Sequence, residues 1–369
     1  MNILITGANG FIGKNLIAAL LERRDVILME VDKETEEERF NTYCREADFV
    51  FHLAGINRPD IEADFMTGNR DFTAKLLGNL KKHRNLCPVM LSSSIQAALD
   101  NPYGRSKREA EELLLNYGEQ TGASVLVYRF PNVFGKWSRP DYNTVVATFC
   151  HRAARGIPIR VDDPENMLSL VYIDDLVDEM VRALEGHPTK TGCFHTVPVS
   201  HSARLGDLAE LILSFRKCRE DYSVPDLGDP FIRKLYSTYL SFLPGEELSY
   251  PLERKEDERG SFAEFIRTPD RGQISVNITK PGVVKGNHWH RSKNEKFLVI
   301  QGQGIIRLRR IDSEEVLLYP VRGNHLEVVE IPPGYTHQLE NTGDEDLVTV
   351  MWANEAFDPD KPDTFFMEV

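Results

Sequence analysis

Cysteine is scarce in this chain: 369 residues contain five, Cys44, Cys87, Cys150, Cys193 and Cys218. They are widely spaced and odd in number, and none lies in the last 150 residues. That distribution excludes a disulfide framework and a paired-cysteine metal site. Long apolar runs are missing too: nothing approaches the roughly 18 consecutive apolar residues of a membrane span. Residues 1–7 show no basic n-region, apolar h-region or cleavage site but run straight into a strand pattern, so a cytoplasmic location is expected. There is no surplus of positive charge. Lys plus Arg is 44 against 57 acidic residues, a formal charge of −13. Residues 1–250 hold 29 basic and 36 acidic side chains and the remainder 15 and 21, so neither half is basic. Nucleic-acid binding is therefore disfavoured, although a locally positive cleft can still take an anionic small molecule.

What is present is an ordinary globular composition, 41% hydrophobic and 27% charged, long enough for two domains. Residues 2–6 read as an apolar strand, followed by a helical pattern on Phe11, Ile12, Leu16, Ala19 and Leu20. Further strands are expected at 26–31, 49–53, 89–91 and 125–128, with helices at 71–83 and 107–119 between them. Alternating strands and helices imply a parallel sheet covered on both faces, an α/β domain over residues 1–245. Near residue 245 the character changes. After a charged, turn-rich connection, short extended segments follow at 262–266, 273–278, 295–300, 304–309, 315–320, 326–331 and 347–352. Their spacing predicts an all-β antiparallel barrel or jelly roll over residues 250–369.

Gly7, Gly10 and Gly13 lie between the first strand and the first helix. Glycine there permits a tight turn and close approach of a pyrophosphate, whose charge the helix N-terminus stabilises. Tyr103 and Lys107, four apart, share a helical face behind the row Ser92, Ser93 and Ser94. An ammonium beside a phenol favours its ionised form and makes the tyrosine a proton shuttle, while a serine hydroxyl at a strand end suits a substrate carbonyl oxygen.

With His52-Leu53-Ala54-Gly55, Asn69, Pro131-Asn132-Val133-Phe134-Gly135 and Tyr172-Ile173-Asp174-Asp175, these motifs make residues 1–245 resemble an extended short-chain dehydrogenase/reductase that modifies nucleotide sugars. The resemblance implies a Rossmann-type domain with Tyr103 as proton donor and Ser94, ahead of Ser93, on the substrate oxygen. Lys107 would hold the nicotinamide ribose and depress the Tyr103 pKa. The cofactor would lie along Gly7, Gly10, Phe11, Ile12, Gly13, Leu53, Ala54, Gly55, Asn69, Tyr103 and Lys107. Asn132 and Lys136, with Arg129, would face the nucleotide sugar. Asp174-Asp175 reads equally well as a helix start that supports the fold. At the second strand's end, Glu30 and Asp32 favour a ribose 2′-OH and Lys33 a 2′-phosphate. The relatives point to NADP(H).

His288-x-His290, then Glu295 and later His337, form a donor set suited to Zn²⁺, Mn²⁺, Fe²⁺ or Ni²⁺. The spacing from Gly282 through His288, His290 and Glu295 to Gly302 resembles the first motif of a cupin. Pro332-Pro333-Gly334-x-x-His337-x-x-x-Asn341 resembles the second, with Leu326 where its leading glycine belongs and Gly323 nearby. Residues 257–264 and 282–288 also resemble sugar-nucleotide 3,5-epimerases. Their catalytic histidine falls on His288, which is here a ligand, so another group must move the proton: Lys285, Glu264 or Tyr335. Arg259 and Arg271 are candidates for the pyrophosphate, or equally for solvated surface.

Nearly end to end, the chain resembles the bifunctional capsular polysaccharide synthesis enzymes of the CapF type. That implies a UDP-4-keto-6-deoxy-hexosamine substrate, UDP-2-acetamido-2,6-dideoxy-β-L-arabino-4-hexulose. C3 epimerisation in the cupin with Zn²⁺ would precede C4 reduction by NADPH to UDP-2-acetamido-2,6-dideoxy-L-talose, on the way to UDP-N-acetyl-L-fucosamine. It also implies a homodimer. The alternative is a ketoreductase whose cupin only binds sugar or dimerises.

Overall fold

A computed structural model describes residues 1–142 and 144–369. The chain divides into two compact units, Met1–Leu213 with Lys234–Pro244 and Ser214–Arg233 with Gly245–Val369.

In the first unit, strands β1 (Asn2–Thr6), β2 (Ile27–Val31), β3 (Phe49–His52), β4 (Val89–Ser94) and β5 (Val125–Phe130) alternate with helices. These are α1 (Phe11–Leu20), α2 (Glu37–Glu46), α3 (Phe72–His83) and α4 (Pro102–Thr121). Strands β6 (Asn132–Phe134) and β7 (Met167–Tyr172) follow, with helices α5 (Val145–Ala154) and α6 (Ile173–Leu184), then strands β8 (Lys190–Thr191), β9 (Phe194–His195) and β10 (His201–Arg204). The main sheet has the order β2-β1-β3-β4-β5-β9-β8 and is parallel from β2 to β9.

Residues of β1 alternate between two cores. Ile3 and Ile5 pack with Leu16 and Leu20 of α1 and Leu176 of α6, whereas Leu4 packs with Phe40 of α2, Leu76 of α3 and Leu114 of α4. A sheet buried on both faces follows, as apolar strands without a polar side require. The strand order reverses at β1, so the crevice beyond the ends of β1 and β3 is the switch point where such sheets bind ligands.

Two elements run longer than the apolar pattern predicts. β4 continues through the serine row to Ser94, which pairs with Phe130. α4 starts five residues early because Asn101 caps it, accepting the Gly104 N–H at 2.7 Å, with Pro102 in the first position. Tyr103 therefore sits in the first turn of the helix that carries Lys107, the shared helical face expected of the pair.

Helices α7 (Leu205–Glu220) and α8 (Pro230–Leu240) precede the β-rich part of the chain. Between them, Val224 N–H donates to Arg267 O at 2.9 Å and Arg267 N–H donates to Tyr222 O at 2.8 Å, which ties this stretch to the second unit. That unit contains β11 (Lys255–Asp257), β12 (Gly260–Thr268), β13 (Gly272–Thr279), β14 (Val284–Trp289), β15 (Glu295–Gln301) and β16 (Gln303–Arg310). It continues with β17 (Val316–Arg322), β18 (Val328–Ile331), β19 (Tyr335–Asn341), β20 (Leu347–Ala353) and β21 (Phe365–Phe366). Antiparallel pairing gives a six-stranded sheet, β11-β12-β13-β20-β15-β18, and a five-stranded one, β17-β16-β19-β14-β21. Phe297, Val299, Ile306, Leu308 and Leu339 make the apolar core. β13 instead buries a polar row, Gln273, Ser275, Asn277 and Thr279. Among the described residues no helix is long and apolar enough to cross a membrane.

Ile306 is fully buried in this core. Ile306→Ala is expected to lower the unfolding free energy of the second unit by about 2–5 kcal/mol. Urea denaturation followed on Trp289 and Trp352 checks it; an unchanged midpoint would show that the core is placed elsewhere.

Candidate active site and metal centre

At the switch point, Gly7 has φ +72° and its N–H donates to Val31 O at 2.9 Å. A Cβ on Gly7 would lie 2.7 Å from Ala54 N, and one on Gly13 would lie 2.4 Å from Gly7 O. Both glycines are thus required by close backbone approach. Gly10 opens α1, whose first turn carries no acidic side chain and leaves its free N–H groups to an anion. Phe11 and Ile12 pack partly buried against the sheet core, so only their backbone is offered to the loop.

A buried polar chain sets the other wall. Thr6 Oγ1 lies 2.7 Å from His52 Nδ1, His52 Nε2 lies 2.9 Å from Thr73 Oγ1, and Thr73 donates to Asn69 O at 2.7 Å. Burial pushes His52 down to about 3, so the imidazole is neutral and serves as a relay of hydrogen bonds. Asn69 lies in a π-helical turn, Met66–Asp71, ahead of α3. Its side chain accepts from Ile56 N–H at 3.0 Å and donates to Ile56 O and to Ser106 Oγ, each at 2.9 Å. It therefore staples the loop after Leu53, Ala54 and Gly55 to the helix that carries Tyr103 and Lys107.

Lys107 is buried, donating to Ser92 O at 3.0 Å. Burial pushes its ammonium down to about 8, and the Glu111 carboxylate pulls the other way. Burial also raises the Tyr103 phenol above its ordinary value, while a hydrogen bond with Ser94 lowers it. The expected depression of Tyr103 by Lys107 is thus not what the structure shows: the ammonium is turned to Ser92. Ser94 is the serine next to the phenol. Ser93 is committed elsewhere, its hydroxyl donating to Glu111 Oε1.

Arg129 does not face a sugar. It makes a two-pronged ion pair with buried Glu111, 2.9 and 2.6 Å, and stacks 3.8 Å from the Phe194 ring centre. Asn132 donates to Ser169 O at 3.2 Å, and Lys136 pairs with Asp174. At the end of β2, Glu30 and Lys33 are exposed. Asp32 is the acid that reaches the glycine loop, accepting from Asn9 Nδ2 at 2.5 Å.

In the second unit, β14 and β19 lie side by side with His288 opposite His337. A bulge at Asn287, φ +57°, shifts the register just before His288. Glu295 opens β15. The donor atoms of His288, His290, Glu295 and His337 all lie within 4.8 Å of one another. Glu295 Oε2 is 3.5 Å from His290 Nε2 and 3.4 Å from His337 Nε2. Donors held at about 2.0–2.1 Å around a tetrahedral ion are separated by roughly 3.3 Å, so the residues fit a cation of that kind. His290 Nε2 and Glu295 Oε2 are also buried without a hydrogen-bond partner, which an ion between them would supply. Burial pushes His337 down to about 3 and lowers His288 too, leaving neutral imidazoles with lone pairs to donate.

An open cavity of about 290 Å³ adjoins these residues. Glu264 lines it, its carboxylate paired with Arg267 and 3.8 Å from Lys255 Nζ. Lys285 instead donates to Asn277 Oδ1 at 2.9 Å and Ile278 O at 2.8 Å, and Tyr335 packs against the apolar core. Arg259 is paired with Asp257 and Arg271 with Asp270 on the surface, the solvated alternative for both. Lys293, missed in the sequence, is buried and lines the cavity with Nζ 3.2 Å from Pro362 O. Its position between two ligands in the same motif was the available signal.

The class this geometry defines is a nicotinamide-dependent dehydrogenase or epimerase of the Tyr–Lys type, joined to an all-β unit with a His/Glu cluster. Residues 3–192 match the NAD dependent epimerase/dehydratase family, and residues 255–365 match the Polysaccharide biosynthesis C-terminal domain. The chain belongs to that family. It is 42% identical, across 100% of its length and 99% of the relative's, to UDP-2-acetamido-2,6-beta-L-arabino-hexul-4-ose reductase of Pseudomonas aeruginosa. The crystal structure of capsular polysaccharide assembling protein CapF from Staphylococcus aureus is similar at 51% identity and TM-score 0.95, with 100% of both chains covered. UDP-glucuronic acid 4-epimerase from Bacillus cereus in complex with NAD is 22% identical with TM-score 0.52, covering 59% of this chain and 85% of that one. At that identity the likeness is one of fold alone.

Lys107 carries its charge below about pH 8 and loses it above. Affinity for a nicotinamide cofactor is therefore expected to fall as pH rises through that value. Lys107→Met should bind weakly at every pH, without the step. Fluorescence titration of the reduced cofactor measures both, and a wild-type affinity flat from pH 7 to 9 would remove Lys107 from the ribose.

Proposed function

We propose that the chain is a bifunctional UDP-sugar enzyme. The all-β unit, a cupin, inverts C3 of UDP-2-acetamido-2,6-dideoxy-β-L-arabino-4-hexulose. The first unit then reduces C4 with NADPH to UDP-2-acetamido-2,6-dideoxy-L-talose for surface polysaccharide synthesis. The observation that carries this reading is the coexistence in one chain of Ser94, Tyr103 and Lys107 at a switch point and a four-donor cluster beside a cavity. The name of the Pseudomonas relative supports the ketosugar.

When bound, the reduced nicotinamide supplies a hydride and Zn²⁺ supplies Lewis-acid charge. Tyr103 gives its phenolic proton to O4 as the ketone becomes an alcohol, and Ser94 holds the same oxygen. Lys107 holds the nicotinamide ribose. Exposed Lys33 is the cation offered to a ribose 2′-phosphate, since the Asp32 carboxylate is turned to Asn9 and the Glu34 N–H. In the cupin, Glu264 stands at the cavity beside Arg267 and takes the C3 proton, and solvent returns a proton on the opposite face. The order is fixed by chemistry: C3–H is acidic only while C4 is a ketone. His288, His290, Glu295 and His337 hold the metal. A homodimer is part of the proposal; β17 is an edge strand whose Leu318 is 60% exposed.

One observation favours a second reading. Four protein donors satisfy a tetrahedral ion outright, the pattern of sites that hold structure rather than substrate. Under it the cupin binds sugar without inverting it, and the product keeps its C3 configuration.

Proton NMR of the ketosugar in D₂O, before and after NADPH, separates the two. Deuterium entering C3 and then formation of the talose product are expected; reduction with C3 unexchanged would leave the cupin a binding module. Tyr103→Phe should lose reduction by roughly 10²–10⁴-fold while C3 still exchanges. His290→Ala should lose exchange but still reduce the pre-epimerised ketone. Loss of both activities in either folded variant would contradict the separation of roles.

A further inference from the structure

Residues 357–367 run as a strap along the second unit, and one residue of it makes contacts of two kinds. The backbone carbonyl of Asp363 accepts from His290 Nδ1 at 2.6 Å. Its carboxylate accepts the N–H groups of Arg291, Ser292 and Lys293 at 3.1, 3.0 and 3.0 Å, and the Ser292 hydroxyl at 3.1 Å. These are the residues that immediately follow His290. Asp363 adopts φ +39°, in the left-handed region, a conformation that an ordinary surface residue avoids. The strap is anchored on either side. Met367 N–H donates to Asn287 O at 3.0 Å, and Phe365 lies against Trp289 with ring centres 5.0 Å apart. β21 pairs with β14 through His288 and Phe366.

We infer that Asp363 is a positioning residue of the metal centre, holding His290 in the tautomer and orientation a ligand needs. The inference rests on the reading of His288, His290, Glu295 and His337 as metal ligands. A proton fixed on Nδ1 by a carbonyl leaves the Nε2 lone pair free, and Nε2 is the nitrogen that faces Glu295. The carboxylate supplies the leverage. By gathering three successive amides it locks the turn after His290 to the strap, so that the backbone carbonyl of the same residue stays on the imidazole. A strap held only by Phe365 and Met367 would leave residue 363 free to turn its carbonyl to water.

The test uses the full chain, with Zn²⁺ competed against a chromophoric chelator and Co²⁺ as a spectroscopic probe. Asp363→Ala is expected to weaken Zn²⁺ binding about 10–100-fold, the usual cost of losing a partner behind a metal ligand, and to alter the Co²⁺ absorption bands. Asp363→Asn, which keeps one acceptor oxygen, should fall between Asp363→Ala and wild type. Asp360→Ala, an exposed position on the same strap, should bind as wild type does. Wild-type affinity and an unchanged Co²⁺ spectrum in Asp363→Ala would overturn the inference. If that variant does not fold, wild-type behaviour of Asp363→Asn overturns it instead. A wild-type chain that takes up no Zn²⁺ is distinguishable from both, because it overturns the metal reading itself.

Discussion

A positive charge buried at the end of a parallel sheet is the constraint from which the first site follows. Lys107 is kept there by the Ser92 carbonyl 3.0 Å away and by the field of Glu111, one turn further along the same helix. Neither partner is free to move. Ser92 belongs to a strand paired on both sides, and Glu111 is fixed by Ser93 and Arg129. Gly55 completes the enclosure, because a Cβ there would lie 2.9 Å from the ammonium. Such a group is costly to bury, which marks it as a candidate functional residue. Asn69 then links this enclosure, through Thr73 and His52, to Thr6 beside the glycine turn. Tyr103 inherits its place from Lys107, one helical turn away.

The second site also buries an ammonium, Lys293, but is built around a cluster of donors. Its strands place donors rather than hydrocarbon in the interior, and three of four are imidazoles left neutral or shared with one carboxylate. A barrel interior of this kind is unstable as an apolar core and incomplete as a polar one, which is why the donor geometry matters more than the fold around it. Glu264 faces the same space with Arg267 at its back. Two of the polar row of β13, Gln273 and Ser275, extend that character along the wall.

Much of this was legible in the sequence, and the gaps have physical causes. The apolar strands β1, β2, β3 and β5 and the glycine turn declare themselves through burial and backbone sterics. So does the clustering of His288, His290, Glu295 and His337, through their spacing. β14 and β19 are missing from the apolar segments expected because histidine, glycine and asparagine interrupt their pattern, although Leu339 of β19 lies in the core. The early start of α4 was hidden by an Asn-Pro pair that looks like a loop. The Arg129 ion pair was hidden because its partner, Glu111, is eighteen residues back and meets it only where α4 packs on the sheet. Tyr335 and Lys285 sat close to the cluster in sequence, but Tyr335 packs against the apolar core and Lys285 is bonded to Asn277 and Ile278. Asp363 offered no signal: a lone aspartate seventy-three residues from His290 gains its role only when β21 folds back on β14.

The division of the chain has a consequence for anyone who would take the molecule apart. Its units are not consecutive in sequence, since residues 214–233 belong with the second and 234–244 with the first. A cut near residue 213 deprives the first piece of Lys234, whose ammonium is paired with Asp175 at 2.5 Å. A cut after residue 244 leaves residues 222–224 on the wrong fragment, parted from Arg267. No single scission yields two intact modules. Domain exchange with other reductases or other barrels must therefore carry the helical pair as a graft between them, or accept one damaged edge.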